Sequence, residues 1–271
     1  MTSSALALGG VLAAGSSGFQ APTLEEFYPE AIWEFHVAGI DFQITRITII
    51  LWVATLALIG LLVAVTRNPQ IVPGKLQFLG ESGYSFIRDG IARDVVGPKG
   101  LPFAPFLASV FFFILANNLM SIVPFAQISP MAKFAYPLLL AVICYVIYIW
   151  VGIREQGLWP YFKNIMFLPG VPIYMYLLVT PIELLQNFIV RPFTLAVRLF
   201  ANMFAGHMLL TVFAVGSTYL FSLGGIWYAG GIASALMQIV MTFFELIVIF
   251  LQAYVFTILM GTYLNGSIEA H

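Results

Sequence analysis

Residues 173–218 read IYMYLLVTPIELLQNFIVRPFTLAVRLFANMFAGHMLLTVFAVGST, some 45 positions without a cluster of turn residues. As one straight helix this run would extend about 65–70 Å, twice the hydrocarbon thickness of a bilayer. It must therefore incline steeply, or break near Arg191-Pro192 and re-enter. Nor is it purely apolar, because Glu183, Arg191, Arg198 and His207 interrupt it. Ionisable groups at membrane depth cost about 2.5 kcal/mol or more each on insertion scales, so they turn toward protein or water and mark an ion path.

A small-residue loop, SLGGIWYAGG (222–231), leads into a second long apolar stretch, 232–264, and the two stretches read as a hairpin of inclined helices. Upstream, three segments have the roughly 20 apolar residues of a simple span: 47–66, 101–124 and 134–152. Composition agrees. The chain is 61% hydrophobic and 8% charged over 271 residues, far more apolar than a soluble domain needs to fill its core. The fold class expected is an all-α polytopic membrane protein of five to six helices. It comprises an external tail (1–45) and one membrane domain (46–271).

Eleven Lys and Arg nearly balance twelve Asp and Glu, so there is no field to attract nucleic acid. Charge position says more. No Lys or Arg occurs in the first 45 residues, whereas Arg67, Lys75, Arg88, Arg93 and Lys99 follow the first span and Arg154 and Lys163 follow the third. Basic short loops stay on the cytoplasmic side, which puts the N-terminus outside and the C-terminus inside. Residues 5–14, ALALGGVLAA, imitate a signal-peptide core but lack a basic start and read as part of a translocated tail. Within 74–95, Leu76, Leu79, Tyr84, Ile87 and Ile91 share a face of a helix that also carries Arg88, Asp89, Arg93 and Asp94, the pattern of a helix on the membrane surface. The lone cysteine, Cys144, lies in an apolar run and supports neither a disulfide nor a metal site. No cofactor or metal is expected.

At 100° per residue, Asn187, Arg191, Arg198 and Asn202 fall near one direction and form a polar stripe. His207 lies about half a turn away from Arg198. On the last helix Gln238, Glu245 and Gln252 recur every seven residues and share a face. Glu and His can accept and release a proton, and amides anchor water. A guanidinium stays charged and acts as a fixed positive field, favouring the ionised form of a carboxyl group that a neighbour presents. His207 and Glu245 could each stabilise the charged form of the other. Blander readings exist: a membrane Glu can bond a backbone group, Arg191 can satisfy carbonyls freed by Pro192, and Asn117 and Asn118 can be interhelical glue.

The string RPFTLAVRLFANMFAGH (191–207) resembles the signature of the F-type ATP synthase subunit a family, also called the ATPase subunit 6 family. ELIVIFLQAYVFTILMGTYL (245–264) is similar to that family's last helix. The resemblance implies a spanning helix, a surface helix, a transmembrane hairpin and two long, steeply tilted helices curved against a rotating ring of c subunits. It implies that Arg198 faces the ring carboxylates between two half-channels. Asn202, His207, Glu245 and Gln252 match the entry half-channel, while Glu183, Asn187 and Arg191 resemble exit-side groups. The implied partners are the c-subunit ring, b-type peripheral stalk subunits and membrane lipid. Neither nucleic acid nor nucleotide is expected, since no G-x-x-x-x-G-K-[ST] loop occurs. The chain itself is expected to be non-catalytic. A bacterial plasma membrane is the expected setting; a mitochondrial inner membrane or thylakoid would give a similar chain. A secondary proton transporter would also carry mid-membrane charges but usually shows related halves, and no internal repeat is visible. A scaffold without a path of its own predicts that replacing Arg198 disturbs assembly rather than transport.

Overall fold

The computed structural model describes residues 32–37, 40–67, 70–124, 126–166 and 175–268. The stretch 5–14, most of the tail, positions 173–174 of the long apolar run and the last three residues lie outside it.

Among the described residues the chain opens with a hairpin, β1 (Trp33–Val37) and β2 (Ile40–Ile44), antiparallel with Trp33 opposite Ile44 and Val37 opposite Ile40. This small sheet is an addition to the all-helical reading. Its signal is present as period-two alternation, WEFHV and IDFQI, which is the strand period. Helix α1 (Arg46–Thr66) follows, with only Ile47 and Ala54 buried. Its remaining surface is apolar on nearly every side, as suits a helix at the edge of a bundle facing lipid. Arg46 Nη2 donates to Ala126 O (3.2 Å), and the Thr48 and Tyr136 hydroxyls lie 2.9 Å apart, tying the start of α1 to the loop beyond the second span and to the first turn of the third.

Helix α2 (Lys75–Ile87) runs into a π-helical turn, Arg88–Arg93. Leu76, Leu79 and Tyr84 are exposed, but Ile87 and Ile91 are completely buried. The single apolar face expected for a surface helix therefore divides: its first half is open and its second half docks into the core. A 3-10 turn (Pro98–Phe103) leads into α3 (Ala104–Leu119), and α4 (Ala135–Gln156) returns antiparallel. Short α5 (Leu158–Met166) follows.

Helix α6 (Tyr176–Leu185) continues through a second π turn (Gln186–Val190) into α7 (Arg191–Leu223). The chain neither breaks nor re-enters at Arg191-Pro192. The π turn absorbs the proline: the Arg191 N–H bonds back to Gln186 O, and by the same spacing Pro192, lacking an N–H, leaves Asn187 O without a backbone donor. The Tyr148 hydroxyl of α4 donates to that oxygen at 3.1 Å.

Gly224 and Gly225, with φ of 72° and 59°, make the reversal into α8 (Trp227–Ile268). These left-handed angles are why two glycines stand there. At 42 residues α8 is about 63 Å long. It packs on α7, α3 and α4, and the core lies where they meet, around Leu107, Phe111, Ile114, Leu199, Met203, Phe256, Met260 and Leu264. Among the described residues five helical runs are long and apolar enough to cross a membrane: 46–66, 98–119, 135–156, 176–223 and 227–268.

Candidate functional site

Helices α7 and α8 are antiparallel neighbours whose register is fixed by contacts along their length. The Asn202 amide donates to Gln252 Oε1 at 2.6 Å. Gly206 faces the Glu245 carboxyl, which an added methyl would meet at 3.4 Å. The Ser234 hydroxyl donates to Phe213 O at 2.9 Å, and Gly230 lies against Leu220. One helix descends as the other rises, so His207 comes level with Glu245.

Both side chains are buried, His207 at 8% and Glu245 at 3% exposure, and Gln252 is buried with them. Polar side chains inside an apolar bundle need partners. The Gln252 oxygen has Asn202, but its nitrogen and both Glu245 oxygens have no hydrogen-bond partner among the described residues. The Ser121 hydroxyl donates to Asn118 O at 2.9 Å.

Two cavities flank this level. One, of about 240 Å³, lies between the helices against Asn202, Gly206, Met241, Glu245 and Val248. The other, of about 250 Å³, is lined by Ser121, Gln127, His207, Thr211, Gln238 and Thr242. Gln238 and Glu245, seven residues apart, thus open onto adjoining spaces. Four polar residues of the second lining, Ser121, Gln127, Thr211 and Thr242, are not among the candidates the sequence offers. Thr211 follows His207 by one helical turn and Thr242 precedes Glu245 by three residues, a periodic signal that was available. Ser121 and Gln127 come from the connection after α3 and carry no such signal.

Asn117 and Asn118 reach the same neighbourhood through α3. Asn117 Nδ2 donates within its own helix to Phe113 O (2.9 Å), and Asn118 Oδ1 accepts from the Ser129 hydroxyl at 3.2 Å. Neither bond links two spans, so the glue reading does not describe them. Asn117 Oδ1 and Asn118 Nδ2 are buried without a partner among the described residues. Gly206 supplies the spacing at the centre. Gly206→Val would push branched carbon into the Glu245 carboxyl, and overpacking of this kind costs about 1–3 kcal/mol. The expected result is a protein less stable by about that amount, measured as a lower midpoint of thermal unfolding in detergent.

Arg198 is placed differently. It sits on the exposed face of α7, and no described residue forms an ion pair or hydrogen bond with its guanidinium. Asn202, one turn on, is also exposed. Both helices also carry exposed apolar side chains, including Phe193 and Leu209 of α7 and Leu236, Ile239, Ile247 and Leu251 of α8.

Asn187, expected on the same stripe as Arg198, is buried at 8% exposure. The π turn between them changes the helical phase, so a constant 100° per residue fails across residues 186–190. Asn187 Nδ2 donates to the Glu183 carboxyl at 3.0 Å. The Arg191 guanidinium stacks over the Tyr263 ring at 5.1 Å. It is Tyr148, not Arg191, that supplies the donor made necessary by Pro192. Asn187 and His207 are twenty residues apart, about 30 Å along the helix, with Arg198 between them.

Residues 48–265 match the family model described as ATP synthase A chain. A protein named ATP synthase subunit a from Streptomyces lividans is 42% identical over 260 residues, covering 94% of this chain and 89% of the relative. Proteins of the same name from a Parafrankia strain and from Rhodococcus erythropolis are 41% and 40% identical, covering 97% and 93% of this chain and 89% and 91% of the relatives.

Proposed function

The chain belongs to the ATP synthase A chain family, and we propose that it is the proton-conducting stator of the membrane sector of an F-type ATP synthase. The observation that carries this reading is a cation, Arg198, exposed on α7 without an ion-pair or hydrogen-bond partner among the described residues, with polar groups displaced along the chain to either side of it: half-buried Glu183 and buried Asn187 before it, buried His207 after it.

On the entry side a proton passes through the polar space of Ser121, Gln127, Gln238 and His207, reaches Glu245, and moves along the Asn202 and Gln252 amides. The partnerless buried atoms of Asn117, Asn118, Glu245 and Gln252 suit a file of water, because buried polar groups without protein partners are normally hydrated. The proton then neutralises a carboxyl group presented by a ring of c subunits. After the ring turns, Arg198 favours ionisation of the returning carboxyl group and the proton leaves past Asn187 and Glu183. Each charge crossing 100 mV supplies about 2.3 kcal/mol, so several cross for each ATP made. ATP itself is formed in a separate catalytic head, and b-type stalk subunits hold this chain against rotation.

The lengths of α7 and α8 exceed a perpendicular crossing, so both run obliquely and present a broad face to the ring. The N-terminus is outside and the C-terminus cytoplasmic, following the basic loops. That the named relatives come from bacteria supports a bacterial plasma membrane.

Gln252→Leu tests the entry path. It removes the partner of the exposed Asn202 amide and a polar step next to Glu245; a hydrogen bond of this kind contributes about 0.5–1.5 kcal/mol, at most roughly a tenfold effect. Proton uptake driven by an imposed potential, in vesicles stripped of the catalytic head, should fall by about that factor while the complex remains assembled. Unchanged uptake would exclude this route.

A further inference from the structure

A cavity of about 480 Å³ lies away from the proton path, where the ends of three spans meet. Lys99, Pro102 and Phe103 come from the turn that begins the second span, Trp150, Val151, Arg154 and Glu155 from the end of α4, and Ile268 from the end of α8. All three ends belong to one membrane surface, which the basic loops assign to the cytoplasmic side.

The floor and wall are apolar: Phe103, Val151 and Ile268, with the broad face of Trp150. The rim holds two cations and one acid. Among the described residues neither Lys99 nor Arg154 forms an ion pair or a side-chain hydrogen bond, and Arg154 instead lies over the Trp150 ring at 5.3 Å. Glu155 offsets one charge, leaving the rim net positive. Tryptophan at headgroup depth and basic pockets between spans on the cytoplasmic side are the features that hold anionic lipid.

We propose that this cavity is a binding site for an anionic phospholipid, its phosphodiester held between Lys99 and Arg154 and the start of an acyl chain laid against Trp150, Phe103 and Ile268. A protein partner is the weaker occupant, since the apolar wall sits at the end of the spans, where lipid is already concentrated. This site lies outside the proton path and does not depend on how protons move. Bridging the second span, α4 and the end of α8, the lipid would join the α3–α4 pair to the long helix.

The test uses the whole complex in nanodiscs of zwitterionic phosphatidylcholine, doped with a photoactivatable phosphatidylglycerol, with crosslinks mapped by peptide mass spectrometry. The expected result is crosslinking to residues 99–103 and 150–155 well above that from the matching photoactivatable phosphatidylcholine. Each surface cation contributes about a fivefold preference for anionic lipid, so K99Q/R154Q should cut the signal by tenfold or more while labelling of exposed α1 positions such as Leu56 is unchanged. Inorganic phosphate in millimolar excess should not compete, which separates a lipid site from a free-phosphate site. Equal labelling by the two lipid probes in the unmodified complex would overturn the proposal without any variant. So would competition by phosphate, or a signal that survives in an assembled K99Q/R154Q complex.

Discussion

Arg198→Ala is expected to abolish ATP-driven proton pumping in inverted membrane vesicles while the complex stays assembled. The expectation rests on where the side chain stands. Arg198 lies on the outward face of α7 and supports no described neighbour through an ion pair or hydrogen bond, so its removal leaves no buried group of this chain without a partner. A scaffold role would instead require contacts within the fold. What is lost is the fixed charge. At 4 Å and an effective dielectric of about 20, a cation and a carboxylate attract by about 4 kcal/mol, enough to shift the protonation balance of a ring carboxyl group by about two to three orders of magnitude. In the proposed mechanism, a ring carboxyl group arriving from the lipid would then have no reason to release its proton on the exit side. Pumping should fall by more than about a hundredfold on that arithmetic. Arg198→Lys should recover little, because an ammonium is a strongly hydrated point charge that can itself lose a proton when desolvated. Persistent pumping in Arg198→Ala would remove the stator role. Loss of the complex, checked by subunit composition, would favour the scaffold.

The sequence carried the architecture because its signals are long. Runs such as 46–66 and 232–264 leave no other solvent than lipid, and heptad spacing put Gln238, Glu245 and Gln252 on one face, where the two cavities and the Asn202 contact now line up. Periodicity failed where the helix itself is irregular. The π turn at Gln186–Val190 rotates Asn187 into the core and away from the face of Arg198, and no single-period projection can anticipate a change of period. The other π turn, at Arg88–Arg93, likewise turned half of an expected surface helix into core. Contributions from other elements were also invisible. Ser121, Gln127 and Tyr148 meet the long helices only through tertiary packing, and nothing in their local sequence points to a neighbour more than twenty residues away.

The second large effect concerns the acid and the imidazole at the centre of the proposed entry side. Glu245→Gln keeps the shape and hydrogen-bonding capacity of the side chain but removes its ability to accept and release a proton. A positioned proton-transfer group typically contributes about 10²–10⁴-fold, so conduction through head-stripped vesicles should drop by about a hundredfold or more. His207→Ala should fall in the same direction. Because the antiparallel register brings His207 level with Glu245, the two serve one step, and their losses should not add. The exchange His207→Glu/Glu245→His sharpens this. It returns one acid and one imidazole to the same level on facing helices, so it should conduct better than either His207→Glu or Glu245→His alone, with the excess read as a coupling free energy in a double-mutant cycle. The argument fails if the exchanged pair is as slow as the worse single variant in an assembled complex. In that case each group acts alone through its own cavity, Glu245 beside Asn202 and His207 beside Gln238, and the shared level of the two helices is a feature of packing only.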